Sequence, residues 1–246
     1  MNDAASVNAL AQRLASAASV FVLTGAGMSA ESGLPTFRGP DGYWRNHRVE
    51  ELASPQGFAR DPLTVWRWYN ERIIAYGNAQ PNAGHYALAR LETIVPRLTI
   101  ATQNVDSLHA RAGSKNVLEL HGHLREARCT GCGETVSLSN EFDETKIDHA
   151  CGGRFRPQVV WFGEQLPPDV WSRAEEAAAH ADVILVVGTS AQVYPAAALA
   201  LQSDRAFVAE INPDATGLSA RCHCVIRERA AVALPALVKK LRSQNR

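Results

Sequence analysis

The sequence predicts an α/β fold, a Rossmann-like parallel sheet with helices on both faces, carrying a small inserted module. Three observations lead there. Short, wholly apolar runs recur along the 246 residues, helical patterns separate most of them, and two stretches break the rhythm. An apolar run bounded by turn residues reads as a strand buried on both faces. Strands alternating with helices join by right-handed crossovers into a parallel sheet.

The Ala/Leu-rich residues 4–16 form the first helical pattern, and a strand over 19–24 follows, ending at glycines. Further strands are predicted at 97–102, 117–120, 183–187 and 206–211, with a sixth at 222–227. Helical patterns occupy 83–94, 105–112, 170–180 and 195–202, and 231–242 closes the chain. The first break, 37–77, gathers Tyr43, Trp44, Trp66, Trp68, Tyr69 and Tyr76. Within it 62–76 reads as a helix, with Pro62 at a position that tolerates the missing N–H. The second break, 124–155, is polar and holds three cysteines. On this division residues 1–40, 80–123 and 156–246 build the larger domain, while 41–79 and 124–155 build the small module with a helical part and a zinc-ribbon-like part.

Composition narrows the function classes. Lys plus Arg and Asp plus Glu both number 25, so no net basic charge favours nucleic acid or an anionic membrane surface. The strongest apolar run, 183–187, is far too short to span a bilayer. Residues 1–19 lack the basic start and apolar centre of an export signal. A cytoplasmic location is expected, with no nucleic-acid or membrane partner. The five cysteines then favour metal binding or burial over disulfides.

Three patterns carry chemistry. Gly25 to Ala30 (GAGMSA) directly follows the first strand, where glycines let phosphate approach backbone amides. Two-glycine turns also arise from packing alone. The acidic residue of a dinucleotide dehydrogenase, expected about twenty residues on, is missing. Tyr69 and Arg72 share a helix face at a spacing of three and could fork a carboxylate, although spacing alone favours a surface Arg beside a core Tyr. Cys129 and Cys132 form a tight thiolate pair, with Cys151 at a zinc-ribbon interval. Cys222 and Cys224 alternate on a strand and read as buried.

Six blocks resemble the sirtuin family: Gly25 to Gly39, Thr102 to His109 (TQNVDSLH), Leu120 to Gly122 (LHG), Arg156 to Glu164 (RPQVVWFGE), Gly188 to Pro195 (GTSAQVYP) and Glu210 to Asn212 (EIN). They occur in family order across nearly the whole chain. The resemblance implies an NAD-dependent protein-lysine deacylase, with NAD and acyl-lysine meeting in a cleft between the two units. It implies NAD contacts from Gly25, Ala26, Gly27, Ala30, Thr36, Phe37, Arg38 and Trp44 in the first loop. Gln103, Asn104, Val105 and Asp106 follow in the second block, and Gly188, Thr189 and Ser190 in the fifth. Asn212, Pro213, Asp214 and Ala230 complete the adenosine end. The first loop is expected to cradle the pyrophosphate through backbone amides.

The resemblance makes His121 the general base, accepting a proton from a ribose hydroxyl, with Asn104 beside it. A lone His at a strand end is otherwise usually structural, and Asn104 or Asp106 could simply cap a helix. His47, His85, His109 and His123 read as structural or surface residues. The products would be nicotinamide, O-acyl-ADP-ribose and free lysine. The Tyr69/Arg72 pair resembles sirtuins that prefer succinyl- and malonyl-lysine, and Thr36 stands where deacetylase-type members carry Asp. The substrate peptide, an acyl-lysine protein segment, would add as a strand between Gly163–Glu164 and Val193–Tyr194, touching Val160, Trp161 and Phe162. The family's zinc takes four cysteines; here Cys129, Cys132 and Cys151 need a fourth ligand from His149 or Asp148. Plain deacetylation and mono-ADP-ribosyl transfer are the alternatives.

Overall fold

The computed structural model describes residues 3–36, 49–139 and 141–244. Helix α1 (Asp3–Ser16) and strand β1 (Val20–Thr24) lead into a 3₁₀ helix (Ala26–Ser32). Helices α2 (Val49–Leu52), α3 (Pro55–Arg60), α4 (Pro62–Asn78) and α5 (Ala83–Glu92) precede β2 (Leu98–Thr102) and the short α6 (Leu108–Arg111). Next come β3 (Val117–Glu119), β4 (Gly122–Cys129), β5 (Thr135–Ser137) and β6 (Phe155–Val159). Helix α7 (Pro168–Ala179), β7 (Val183–Val187), a further 3₁₀ helix (Ala196–Leu201), β8 (Phe207–Ile211), β9 (Cys224–Ile226) and α8 (Ala230–Gln244) follow.

Strands β1, β2 and β7 are buried at every position, as continuous apolar runs require. They form the centre of a six-stranded parallel sheet ordered β3-β2-β1-β7-β8-β9. Val20 lies opposite Leu98 on one side and Val183 on the other. One sheet face packs Leu10 and Leu14 of α1, Leu88 and Leu91 of α5, and Leu234 and Leu237 of α8. The other packs Ala174 and Ala178 of α7 with Leu199. Each fully buried leucine contributes about 2 kcal/mol. Strand order reverses between β1 and β7, and open α/β sheets bind ligands outside the strand carboxyl ends at that switch.

A second, antiparallel sheet orders β5-β4-β6. Its three strands fall largely where the sequence showed only a polar excursion. A register shift between Gly122 and Ala127 breaks the alternation that would have revealed β4. Helix α4 packs on β6 and is set by its start: Asp61 Oδ1 accepts the Thr64 amide at 3.0 Å, with Pro62 in the first turn. Trp66 stacks on Phe142 at 3.9 Å and donates its indole N–H to Phe155 O at 2.9 Å. That anchor turns Tyr69 and Arg72 inward, where both are buried.

Two predicted helices shrink. Of 105–112 only α6 is helical, because Asp106 Oδ1 takes the Leu108 amide at 2.9 Å and Ser107 adopts φ 62°. The predicted helix 195–202 is the 3₁₀ helix Ala196–Leu201. Cys224 is buried as expected, and Cys222 half-buried. Among the described residues no helix is long and apolar enough to cross a membrane.

Candidate active site

The loops after β1 and β7 interlock. A Cβ on Gly25 would lie 2.7 Å from Thr189 Cβ, and one on Gly27 would lie 2.9 Å from Gly188 Cα. Gly188, at φ 58°, presses on the Gly27–Met28 peptide. The amides of Gly25 and Gly27 donate to Val187 O (3.2 Å) and Gly188 O (2.8 Å), and that of Gly188 donates to Ile211 O (3.0 Å). Gly25, Ala26 and Gly27 nonetheless line the large cavity, with the Gly25 and Gly27 amides engaged by the facing loop. Those donors hold one loop against the other.

The second block is fastened to the first loop from beneath. Gln103 N donates to Thr24 O at 3.0 Å. Asn104 Nδ2 donates to Gly25 O (3.0 Å) and Ser29 Oγ (3.2 Å), and Ser29 Oγ donates to Asp106 Oδ2 at 2.7 Å. Burial raises the Asp106 carboxyl above its usual range. Asp106 caps α6 and lines a small second pocket with Ala26, Asn104 and Val105, residues that also border the large cavity. His85 and His109 are buried, their ring centroids 4.9 Å apart, and burial lowers them to about 4 and about 3. Both are neutral structural groups, as expected.

His121 follows β3 and faces the same space. Its Nδ1 lies 3.1 Å from Gln103 O. A carbonyl can only accept, so Nδ1 carries the proton and Nε2 keeps a lone pair. Burial lowers the imidazole below its ordinary value, and the Gln103 carbonyl partly opposes this. The side chain is thus a neutral base near pH 7. Gln103 Nε2 in turn donates to Thr189 Oγ1 at 3.0 Å, which ties the base's support to the β7 loop.

A single cavity of about 750 Å³ joins these groups, within the range of small-molecule sites. Gly25, Ala26, Gly27, Ala30, Thr36, Gln103, Asn104 and Val105 line one wall, and His121 stands among them. Gly188, Thr189, Ser190, Asn212, Pro213, Asp214 and Ala230 line the sheet end. Asn212 Nδ2 donates to Thr189 O at 3.0 Å, and its Oδ1 accepts the Asp214 amide at 3.1 Å. Glu210, fully buried beneath, accepts from Arg227 at 3.0 Å and from Ser219 and Thr216. Arg227 reaches Asp214 O at 2.8 Å. This clamp holds the loop.

At the opposite end Tyr69 and Arg72, 5% and 4% exposed, line the same cavity. The Arg72 guanidinium lies over the Trp68 ring, 3.1 Å from its centroid, and donates to Trp68 O. Burial pushes the Tyr69 phenol up to about 12, so it stays protonated. Val160, Trp161, Phe162, Gly163, Glu164, Val193 and Tyr194 complete the lining. Phe162 and Tyr194 are 49% and 75% exposed and form an apolar rim. The Glu164 carboxylate, which burial alone would raise but which its bonds to Arg156 and the Trp161 amide together lower, grips Arg156 at 2.5 and 2.9 Å and accepts the Trp161 amide at 2.8 Å. The Glu164 amide donates to Trp161 O, and Val193 O accepts from Ala197. These two groups are turned inward, which shortens the ladder expected for an added strand.

The three cysteines meet away from the cavity. Cys129, Cys132, Cys151 and His149 present donor atoms all within 4.8 Å of one another. Cys129 and Cys151 sulfurs lie 3.5 Å apart, and His149 Nδ1 lies 3.1 Å from Cys151 Sγ and 3.6 Å from Cys132 Sγ. Tetrahedral zinc with 2.3 Å bonds needs donor separations of about 3.7 Å, so the set fits that ion. Beside His149 the Cys151 thiol falls to about 6, toward the thiolate a metal needs. Asp148 binds Arg154 at 3.1 Å, which leaves His149 as the fourth donor.

Phe37, Arg38, Trp44 and His47 lie outside the described residues. Lining residues that the sequence did not single out include Trp68, Gln192, Thr216 and Arg229. Trp68 was signalled by its place one helical turn before Arg72. Arg156, buried over the Trp161 ring at 3.4 Å, was signalled by its pairing distance to Glu164 within one block.

A family model described as "Sir2 family" matches residues 25–195. NAD-dependent protein deacylase 2 of Pyrobaculum aerophilum is 48% identical over 240 residues, covering 96% of each chain. A solved Sir2 homolog–NAD complex superposes with a TM-score of 0.90 at 47% identity, over 96% of this chain and 94% of that one. The structure of Sir2Af2 bound to a myristoylated histone peptide superposes at 0.82 with 34% identity, over 98% of each.

Proposed function

The chain belongs to the Sir2 family, the sirtuins, and on that premise we propose that it is an NAD-dependent protein-lysine deacylase that prefers acidic acyl groups, succinyl or malonyl, over acetyl. One observation carries the reading: the neutral base His121 and the buried Tyr69–Arg72 pair line one cavity. A base alone serves any acyl group. A buried guanidinium beside a phenol favours a carboxylate, because only an acidic acyl group can accept charge-assisted hydrogen bonds from it.

The residues fit the dinucleotide. Interlocked glycine loops bring two strand ends close enough to share a ligand, and the polar side chains of Gln103, Asn104, His121 and Asn212 border the same cavity. When bound, NAD supplies the ribose carbon that the acyl oxygen attacks as nicotinamide departs. Gln103 and Asn104 hold the ribose and the nicotinamide amide, Asn104 braced by Ser29 and Gly25. Asn212, with Pro213 and Asp214, meets the adenosine ribose, and Ala230 borders the adenine. His121 Nε2 accepts a proton from a ribose hydroxyl, then returns it to a leaving group. The acyl-lysine segment lies between 160–164 and 192–195, with Phe162 and Tyr194 covering the lysine stem from water. The Cys129–Cys132–His149–Cys151 set holds a structural zinc that ties β4 to the 149–153 turn and does no chemistry.

Nicotinamide release from NAD, measured with succinyl- and acetyl-lysine versions of one peptide, tests the reading. Succinyl is expected to exceed acetyl in kcat/KM, and Arg72→Met to reverse the order. Equal losses on both peptides would remove the acidic preference and leave a plain deacetylase.

A further inference from the structure

We infer that Trp161 is a specificity-determining positioning residue: its indole N–H fixes the Tyr69 hydroxyl as a hydrogen-bond donor aimed at an acyl carboxylate. This rests on the acidic-acyl reading above. The observation behind it is the bond from Trp161 Nε1 to Tyr69 Oη, 2.9 Å long and buried.

An indole N–H donates and never accepts, whereas a phenol can do either. The direction of this bond is therefore not negotiable. With its oxygen accepting from Trp161, and with burial holding the phenol protonated, Tyr69 has its own O–H proton left to give. Among the described residues no hydrogen bond takes that proton, and Tyr69 borders the cavity beside Arg72. A carboxylate entering there meets the Tyr69 hydroxyl and the Arg72 guanidinium side by side. A phenol free to turn could instead present a lone pair and repel the same carboxylate.

Trp161 is itself held in place. Arg156 lies over its ring at 3.4 Å, Phe58 packs at 5.2 Å, and Glu164 takes its amide at 2.8 Å. The Arg156 guanidinium also donates to Val159 O at 2.8 Å. Glu164 thus acts through Trp161, and Trp161 acts through Tyr69. The guanidinium over the indole face withdraws electron density and strengthens the N–H as a donor.

The test is the ratio of kcat/KM for succinyl- over acetyl-lysine peptide in the full chain and in Trp161→Phe, Tyr69→Phe, the double variant and Arg72→Met. Trp161→Phe is expected to cut the ratio about tenfold, the size of one hydrogen bond to a charged group. The readout is the ratio and not the acetyl rate, because Trp161 also borders the acyl-lysine segment. In the Tyr69→Phe background the same change should move the ratio less than twofold. Loss on both peptides alike, or an equal effect with and without the Tyr69 hydroxyl, would show that Trp161 merely packs and would overturn the inference. If Arg72→Met alters the ratio and Trp161→Phe does not, this inference falls and the acidic-acyl reading stands. If Arg72→Met changes nothing, both fall. Should Trp161→Phe not fold, site-specific replacement of the indole by benzothiophene removes the N–H alone and is read against the same ratios.

Discussion

Replacing Gly188 by Ala tests how far the site depends on two loops touching. The backbone there holds φ 58°, and the left-handed region costs an alanine about 1 kcal/mol. The larger penalty is steric. A Cβ would meet Met28 N and sit 2.6 Å from Gly27 C and 3.0 Å from Gly27 Cα, all backbone atoms that cannot rotate aside. Overpacking of this kind costs about 1–3 kcal/mol, so the sum is about 2–4 kcal/mol. For a chain of this length that lowers Tm by roughly 4–16 °C. The 2.8 Å bond from Gly27 N to Gly188 O must lengthen, which moves both loops and should weaken ADP-ribose binding by about tenfold or more. Thermal unfolding and calorimetric titration with ADP-ribose measure the two effects. Gly77→Ala is the control: it is exposed on α4 with nothing within 4 Å and should stabilise by about 0.5–1 kcal/mol. A Gly188→Ala protein that melts within a degree of the parent and binds ADP-ribose normally would refute the interlock.

Three further outcomes are expected. The acid limb of the kcat/KM profile should lie below pH 6.5, since burial lowers His121 and the neutral form is active; His121→Ala should reduce turnover by about 10²–10⁴-fold while ADP-ribose still binds. Protein purified without chelator should carry one zinc per chain, with His149→Ala releasing it and Asp148→Ala retaining it, read by metal analysis. Stability should fall on acidification, because His85 and His109 have folded values of about 4 and about 3 below an unfolded value of 6.5. The unfolded chain binds more protons through that window, so the contribution is complete above pH 6.5 and lost as pH drops. At pH 5 the loss amounts to about 2 kcal/mol per histidine, offset in part by Asp106, whose raised value acts with the opposite sign. Denaturant unfolding at pH 7 and pH 5 measures it, with His85→Asn expected to remove about half.

The sheet was legible because its central strands are buried on both faces. Runs such as 183–187 admit no polar residue, and the prediction there matches β7 at both ends. The small module was not legible as strands, because β4 carries a register shift and β5 exposes two of its three residues. Neither satisfies a simple period of two. Helix 105–112 failed for a local reason: its apolar spacing suits a helix, yet Asp106 and a left-handed Ser107 start the turn three residues late. Within the site, the Tyr69–Arg72 pair could be named from spacing, but not its burial, which depends on Trp66 finding Phe155 O across the module. Trp161 was named only as a contact. Its hydrogen bond to Tyr69 spans 92 positions, and no local pattern announces it.

The glycines of the first loop serve the loop-to-loop contact as well as the cavity they line. A phosphate-cradling turn and a loop-to-loop contact ask for the same residue, since both require a backbone with no Cβ in the way. Here the contact is filled by protein: Gly25 meets Thr189, Gly27 meets Gly188, and their amides bond to Val187 and Gly188 carbonyls. The discrimination the cavity exercises must then come from side chains around it, namely Gln103, Asn104, His121 and Asn212 on one side and Tyr69 and Arg72 on the other. Glycine substitutions should accordingly damage stability and ligand affinity together, through displacement of both loops. Side-chain substitutions in those six positions should change turnover or acyl choice with the fold intact.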